Sequence, residues 1–486
     1  MDQERARVQA DLRGLVDCEV RCSESYLHIY ASDASIYQIL PLGIVRPRNT
    51  SDVVACVQYA AEHQIPVRAR GAGSSLAGES LGPGLIFDFS HSMRRVLEVG
   101  EDSVRLQPGV VLAQLNRELE SRNLFFGPDP STRSVTTMGS VIAIDASGSH
   151  WPQYGSARHH VLELEVVTAD GIVHRLSQHD LEATRRASAT ATGQLVDRIG
   201  ALVERDREKI QKHRRGSLVD RCGYQLHDVL TEGTLDMARL LVGSEGTLAL
   251  ITEATLKLDV PPQHRGLALL FFHRLDNAAL AATDVMTTME VSTCDLMDRR
   301  LLTIARETDS RYERLIPRDA EAMLLIEVAG NDVADVRKRL DLVVTRLRRK
   351  KKSAFEARAT METEQRDLFW RIARRIVPML NRLKGAVRPL PFVEDVAVPP
   401  NQLPEFLVRL QDLLKRHKVT ASVFSHAGQG QLHIRPFFDL GNTADQQRMQ
   451  LLAESVYELV LELDGTISGE HGLGLSRTWY AHHQYG

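Results

Sequence analysis

Apolar residues along the chain recur at helical spacing, at alternate positions and in short unbroken runs, so helices and strands are both expected. Val53, Val54, Val57, Ala60 and Ala61 fall at helical spacing behind Thr50-Ser51-Asp52, which reads as an N-cap with an acidic first turn. Ile65-Pro66 ends that helix, and short strands are expected at 67–69 and 85–89. A strand at 104–106 leads through Pro108-Gly109 into a helix over 111–122. Strands at 162–168 and 172–176 flank Asp170-Gly171, a strong hairpin signal. The stretch 240–258 is strand-like with an interruption at Gly243-Ser244-Glu245-Gly246, and Pro261-Pro262 marks a boundary.

Beyond that boundary the pattern alternates. Strands are expected at 267–272, 322–328, 393–398, 419–424 and 433–436. Helices are expected up to residue 290, over 332–352 and over 445–463. The organisation read from this is α+β. A helical lead-in covers 1–36, and a first domain covers 37–260 with a polar helical excursion at 178–236. A second domain covers 261–486.

Composition narrows the classes. Hydrophobic residues at 43% and charged residues at 25% suit an ordinary globular chain. A net charge of -3 gives no reason to expect nucleic acid or an anionic membrane as partner. The basic run Arg348-Arg349-Lys350-Lys351-Lys352 closes a helix-like segment, where cations suit the dipole; a docking patch is the alternative. No run of about 18 apolar residues exists, so no spanning helix is expected. The charged first residues lack the apolar core of a signal peptide. Five cysteines without a C-x-x-C favour free thiols in a reducing cytosol, with a peripheral membrane location left open.

Candidate chemistry begins with a loop, Arg70-Gly71-Ala72-Gly73-Ser74-Ser75-Leu76-Ala77-Gly78. Glycines let backbone N–H groups approach an anion closely, and the serines add donors, which suits a pyrophosphate. The spacing is neither G-x-G-x-x-G nor a Walker loop. Alone, the loop reads equally as a tight surface turn. Two more small-residue stretches accompany it: 136–149, preceded by Pro128-Asp129-Pro130, and 243–248. Three such loops could clamp a long dinucleotide along its length.

A second constellation lies near the end. His426 and His433 flank a Gly-rich turn, and Ser468-Gly469-Glu470-His471-Gly472 follows. Two imidazoles and a carboxylate make a plausible divalent-metal site with open positions, and a further histidine is a natural base near neutral pH. Two structural histidines beside an unrelated loop remain the alternative.

Taken together, these blocks carry a resemblance. Arg68-Ala69-Arg70-Gly71, Pro128-Asp129-Pro130, Tyr154-Gly155-Ser156 and Val242-Gly243-Ser244-Glu245-Gly246-Thr247 resemble, in order, the FAD-binding domain of the vanillyl-alcohol-oxidase or PCMH type. His426-x6-His433 and Glu470-His471-Gly472 resemble the metal-and-base set of FAD-linked D-2-hydroxyacid dehydrogenases, a family including D-lactate, glycolate and D-2-hydroxyglutarate dehydrogenases. The resemblance implies a two-subdomain FAD-binding domain followed by an α+β cap with an antiparallel sheet and helices.

It also implies site residues. FAD would be held by Arg70, Gly71, Ala72, Gly73, Ser74, Ser75, Gly78, Pro128, Thr137, Gly139, Ser140, Ala146, Gly148, Tyr154, Gly155, Gly246 and Ile251. The first loop has no histidine, so non-covalent FAD is implied. His426, His433 and Glu470 would hold a divalent metal, zinc by first expectation, and His471 would be the base. A lysine found in some members is missing, and Arg371 or Arg388 is the candidate to clamp a substrate carboxylate, surface charge being the alternative for each. Gln429 and Gln431 stand where the family has Asp and Asn, which removes a negative charge expected near the metal. Members with this Gln-Gly-Gln loop often continue into an Fe–S domain. Electrons are therefore expected to pass to a carrier protein, a quinone or an Fe–S domain or subunit, whether beyond Gly486 or on another chain; a homodimer is left open. The alternatives are another FAD-dependent alcohol oxidase of the same fold and an inactive FAD-binding subunit.

Overall fold

The computed structural model describes residues 3–186 and 189–486. The N-terminal half contains two main sheets. One has four strands in the order Glu19–Arg21, Gly43–Arg46, Leu85–Asp88, Val67–Arg70, the last three mutually parallel. The other has five antiparallel strands in the order Val96–Val99, Ser103–Leu106, Leu250–Lys257, Val161–Val167, Val173–Leu176. The expected hairpin at Asp170-Gly171 joins the last two of these. Val167 and Leu250 pack into the same apolar core as Val53, Val57, Leu85 and Phe87, so the two sheets share one interior.

The second half is built on one large antiparallel sheet. Its order runs Glu356–Thr360, His264–Phe272, Ala322–Gly330, Thr293–Asp298, Ala421–His426, Gln431–Phe438, Arg388–Pro389, with Asp395–Ala397 also on Gln431–Phe438. One face packs on the helices Leu275–Thr288, Val333–Val344, Leu403–Arg416 and Thr443–Glu462. The other packs on Arg299–Thr308, Thr363–Arg374 and Ile376–Asn381. Central strands such as Leu267–Phe272 are apolar throughout because both faces are covered. This is the mixed α+β arrangement expected from the pattern, with helices on an antiparallel sheet.

Local departures have identifiable causes. The first long helix, Thr50–Glu62, is capped by Asn49, whose side chain accepts from the Asp52 N–H, and not by a residue of the Thr50-Ser51-Asp52 set. The region 240–258 is not one interrupted strand. Met237–Leu241 is a helix, capped by Asp236, and the strand is confined to Leu250–Lys257. The apolar run Leu240-Leu241-Val242 fits a buried helix as well as a strand, and periodicity cannot separate them over so short a span. The helix expected over 332–352 is α-helical over Val333–Val344 and then widens into a π-helical turn, Thr345–Lys350. Lys351 of the basic run binds Asp284, as does Arg346 just before the run, so part of it is structural. The strand Thr293–Asp298 and the helices at 299–315 and 363–381 were not anticipated. No helix among the described residues is long and apolar enough to cross a membrane.

The turn between Ala421–His426 and Gln431–Phe438 decides where two histidines go. Register pairs Phe424 with His433, and His426 with Gln431. Gly430 closes the turn at φ +75°, and a Cβ there would collide with the Val398 carbonyl oxygen. Gly430→Ala should therefore cost a few kcal/mol, as expected for strained backbone plus a steric clash. Thermal unfolding of the variant checks this; an unchanged Tm would mean that the turn is looser than described.

Candidate active site

A solvent-open cleft of about 1960 Å³ runs between the two halves. One wall is made of small residues from three loops: Gly71, Gly73, Ser74 and Ser75; Thr137, Gly139, Ser140, Ala146 and Gly148; and Gly246, with Arg70 and Ile251 alongside. The first two loops touch, since a Cβ on Gly71 would collide with Thr137 Oγ1 and Ser140 Oγ. A wall of backbone N–H groups and hydroxyls without bulky side chains fits the length of a dinucleotide such as FAD. Of the residues that resemblance implies for FAD, Ala72, Gly78, Pro128, Tyr154 and Gly155 do not line the cleft. Tyr154 and Gly155 act behind it: Tyr154 packs edge-on against Phe125, and Gly155 is the C-cap of a short helix.

At the other end the expected histidines and glutamate converge. His433 Nε2 lies 3.2 Å from Glu470 Oε1, and the Nε2 atoms of His426 and His471 each lie 3.7 Å from that oxygen. His426, His433 and Glu470 each offer a ligand atom within 4.8 Å of the others. Donors about 2.1 Å from a tetrahedral ion are spaced about 3.4 Å apart, so the set fits a divalent cation. Glu394, His433 and His471 form a second group at similar spacing, but they meet through the Nδ1 faces of both rings, turned away from Glu470.

The far sides of the rings are held by carboxylates. Asp295 Oδ1 is 2.8 Å from His426 Nδ1. Glu394 is 3.3 Å from His433 Nδ1 and 2.5 Å from His471 Nδ1. Such partners orient imidazole ligands and raise their basicity. The loop at 147–149 closes the site from the other half: Ser147 Oγ donates to Glu470 Oε2 (2.7 Å), and Ser149 Oγ donates to Asp295 Oδ2 (2.6 Å).

Electrostatics follow from this packing. Burial would raise the Glu470 carboxyl, but His433, His426 and His471 outweigh it and hold it well below the usual range. Burial would lower His433, yet Glu394 and Glu470 push it up to about 10. His471 is likewise raised against burial, by Glu394, Asp395 and Glu470. A buried Asp395 carboxylate shapes the loop itself, accepting the backbone N–H groups of Glu470 (3.0 Å) and His471 (2.9 Å) and the Ser468 hydroxyl (2.8 Å). Gln431 donates to Asp395 and Gln429 donates to Gln431. Gln429 is thus behind the loop and outside the cleft, so its missing charge does not face the histidines.

Arg371 is misplaced in the expectation. It does not line the cleft, and its charge acts on Asp309 and Tyr312. Arg388, exposed on an edge strand, does not line it either. One helical turn past Trp370, Arg374 does, with its guanidinium over the Trp370 ring, and so does Arg435. Three residues at about 100° each leave the two arginines about 60° apart, and the edge of the cleft falls between them, with Arg374 at the helix end. Asp295 and Glu394 carried no role in the sequence reading. For Asp295 the available signal was an acid inside a strand buried on both faces, where a carboxylate needs a partner; Glu394 lies just before the strand Asp395–Ala397.

The floor of the cleft rests on another buried trio. His150 Nδ1 is 2.8 Å from Asp129 Oδ2, and its Nε2 is 3.0 Å from Glu327 Oε1. Glu327 also accepts from the indole N–H of Trp370 (2.8 Å).

Comparison with known proteins bears on both halves. Residues 41–177 match the model of an FAD binding domain, and residues 261–486 match that of the C-terminal domain of FAD linked oxidases. The chain is 30% identical over 468 residues to a D-2-hydroxyglutarate dehydrogenase of Pantoea ananatis, covering 91% of this chain but 45% of that protein. It therefore spans about half the length of the first curated relatives that it matches. It is 29% identical to the glycolate oxidase subunit GlcD of Bacillus subtilis, covering 93% of this chain and 85% of that one. Among solved structures, p-cresol methylhydroxylase with substrate bound matches at a TM-score of 0.69 and 14% identity, covering 100% of this chain and 92% of that one. The 4-ethylphenol oxidase of Gulosibacter chungangensis matches at 0.66 and 13%, covering 97% and 90%. These last two likenesses show the fold.

The His150 trio predicts a pH window for stability. Burial would lower His150, but Asp129 and Glu327 push it up to about 10, while His150 in turn holds both carboxyls below their usual range against burial. A raised imidazole stabilises fully below its unfolded value of 6.5 and loses that contribution as pH rises through about 10. The depressed carboxyls contribute above their unfolded values and lose that contribution in acid. Tm should thus decline between pH 7 and 10, and less steeply in His150→Gln. Identical alkaline slopes for the two proteins would refute the charged trio.

Proposed function

The chain belongs to the FAD-linked oxidases, and from that premise we propose that it oxidises a small D-2-hydroxy acid to the 2-oxo acid. The observation that carries this reading is the convergence of His426, His433 and His471 on one oxygen of Glu470, at the end of a cleft walled by small-residue loops. FAD, held without a covalent bond, supplies the hydride acceptor when bound. A divalent cation on His426, His433 and Glu470, zinc by preference, would favour the ionised form of a substrate oxygen.

The chain's own residues do the rest. Glu394 accepts from His471 Nδ1 and fixes the tautomer whose Nε2 is bare toward the cleft, so that Nε2 takes the hydroxyl proton. Arg435 and Arg374 line the cleft, and a guanidinium binds a carboxylate through charge-assisted hydrogen bonds. Ser422, opposite Arg435 across the strand pair, keeps a hydroxyl with no partner among the described residues and adds a donor there. The relatives' names put D-2-hydroxyglutarate, glycolate and D-lactate among the acids to try. Electrons leave for a carrier protein, a quinone or an Fe–S module.

Acid precipitation of the purified yellow protein should leave the flavin in the supernatant; colour held in the pellet would contradict non-covalent binding. His471→Asn should slow flavin reduction by about 10²–10⁴, the usual worth of general-base assistance, with FAD and metal contents kept. His433→Ala is the contrasting variant, expected to lose metal while keeping FAD. Stopped-flow reduction normalised to bound flavin and metal separates these outcomes, and a near-normal rate in His471→Asn would show that another group takes the proton.

A further inference from the structure

Just past the first small-residue loop stands an ionisable side chain that this mechanism leaves unused, Glu79, in the wall of the cleft. Both carboxyl oxygens are shielded from solvent, and neither has a hydrogen-bond partner in another residue among those described. Its own backbone N–H, then the charges of Arg477 and His471, favour its ionised form, and burial outweighs them. The loop does not need this side chain for its own turn, because Ser75 Oγ accepts the backbone N–H groups of Ala77, Gly78 and Glu79 (3.1–3.3 Å). The neighbouring donors are taken as well: the N–H groups of Leu473 (2.7 Å) and Gly474 (2.9 Å) go to Glu245, which faces the same space.

Buried polar groups are nearly always satisfied, and an orphan in a cleft points to a partner that the chain does not supply. Burial, followed by Glu245, pushes Glu79 up to about 8, so it keeps its proton at neutral pH. A protonated carboxyl offers one O–H donor and one accepting oxygen. The charges of His471 and Arg477 both reach Glu79, which places it toward the proton-accepting end of the cleft. If FAD lies along the small-residue wall, the part of it near His471 is the ring system that receives the hydride, whose rim carries carbonyl and imine acceptors and one N–H donor.

We propose that Glu79 is a flavin-binding residue, its carboxyl hydrogen-bonding the ring portion of FAD in this cleft. The proposal rests on the reading of the cleft as an FAD site. It assigns a role to a side chain that costs the empty protein stability, a pattern expected where binding and folding make opposite demands.

Opposite signs in two measurements test it. Apoprotein of wild type, Glu79→Leu and Glu79→Gln is titrated with FAD by flavin fluorescence, and each apoprotein is melted. Glu79→Leu should bind FAD about tenfold more weakly, the net worth of a lost hydrogen bond or two. Its apo form should melt higher than wild type, because a buried unpartnered carboxyl is gone. Glu79→Gln, which keeps a donor and an acceptor, should stay within about threefold of wild-type affinity. Unchanged affinity in Glu79→Leu overturns the proposal, as does an apo form that melts lower, which would mark a structural role. An equal loss in Glu79→Gln overturns it too. Should wild type itself take up no FAD, the cofactor reading fails together with it.

Discussion

The site depends on one buried carboxylate, Glu394. It is fully enclosed, and it joins the Nδ1 atoms of His433 and His471 and the guanidinium of Arg477, with Arg435 at 3.6 Å. Against burial, the His471 charge and the hydrogen bonds from His433 and His471 hold it well below the usual carboxylate range. A charge so deep is stable only while its partners stay. That mutual dependence ties three separate pieces of chain into one object: the strand pair carrying the histidines, the short segment before Asp395–Ala397, and the Gly-rich loop at 468–474.

Arg477 gives the arrangement its rigidity. It is completely buried, donates to the Gly472 carbonyl oxygen (2.6 Å) and meets Glu394 at 3.2 Å. Asp395, next in sequence to Glu394, gathers the backbone N–H groups of the same loop. Two adjacent acids thus divide the work: Glu394 fixes imidazole rings, and Asp395 fixes the backbone that carries Glu470 and His471. Pre-set rings lose little freedom when a cation or substrate arrives, which is how a built site differs from a chance cluster.

Polar contacts join the two halves across the cleft, while Cys222 and Ile36 of the first half pack into the apolar core of the second. Ser147 and Ser149 reach across to Glu470 and Asp295, and His150 reaches across to Glu327. The loop at 145–150 therefore touches the wall that would carry the dinucleotide and two acids of the histidine end, Glu470 and Asp295.

The sequence by itself determined the elements whose signals are local. The hairpin at Asp170-Gly171, the helix Thr50–Glu62, the apolar central strands and the three small-residue loops follow from periodicity and from glycine chemistry, which act over a few residues. It also singled out His426, His433, Glu470 and His471 as a set, because their ligand chemistry and the resemblance both point to them. Only the tertiary structure decided which groups stand behind those rings. Asp295 is 131 positions from His426, and Glu394 is 77 from His471. Nothing local names the partner of either acid until the sheet order brings it against an imidazole. The choice of Arg374 over Arg371 is of the same kind, a matter of where the edge of the cleft crosses the helix Thr363–Arg374. So is the isolation of Glu79, for a carboxyl is partnered or orphaned by residues hundreds of positions away, and no pattern in its own loop records which.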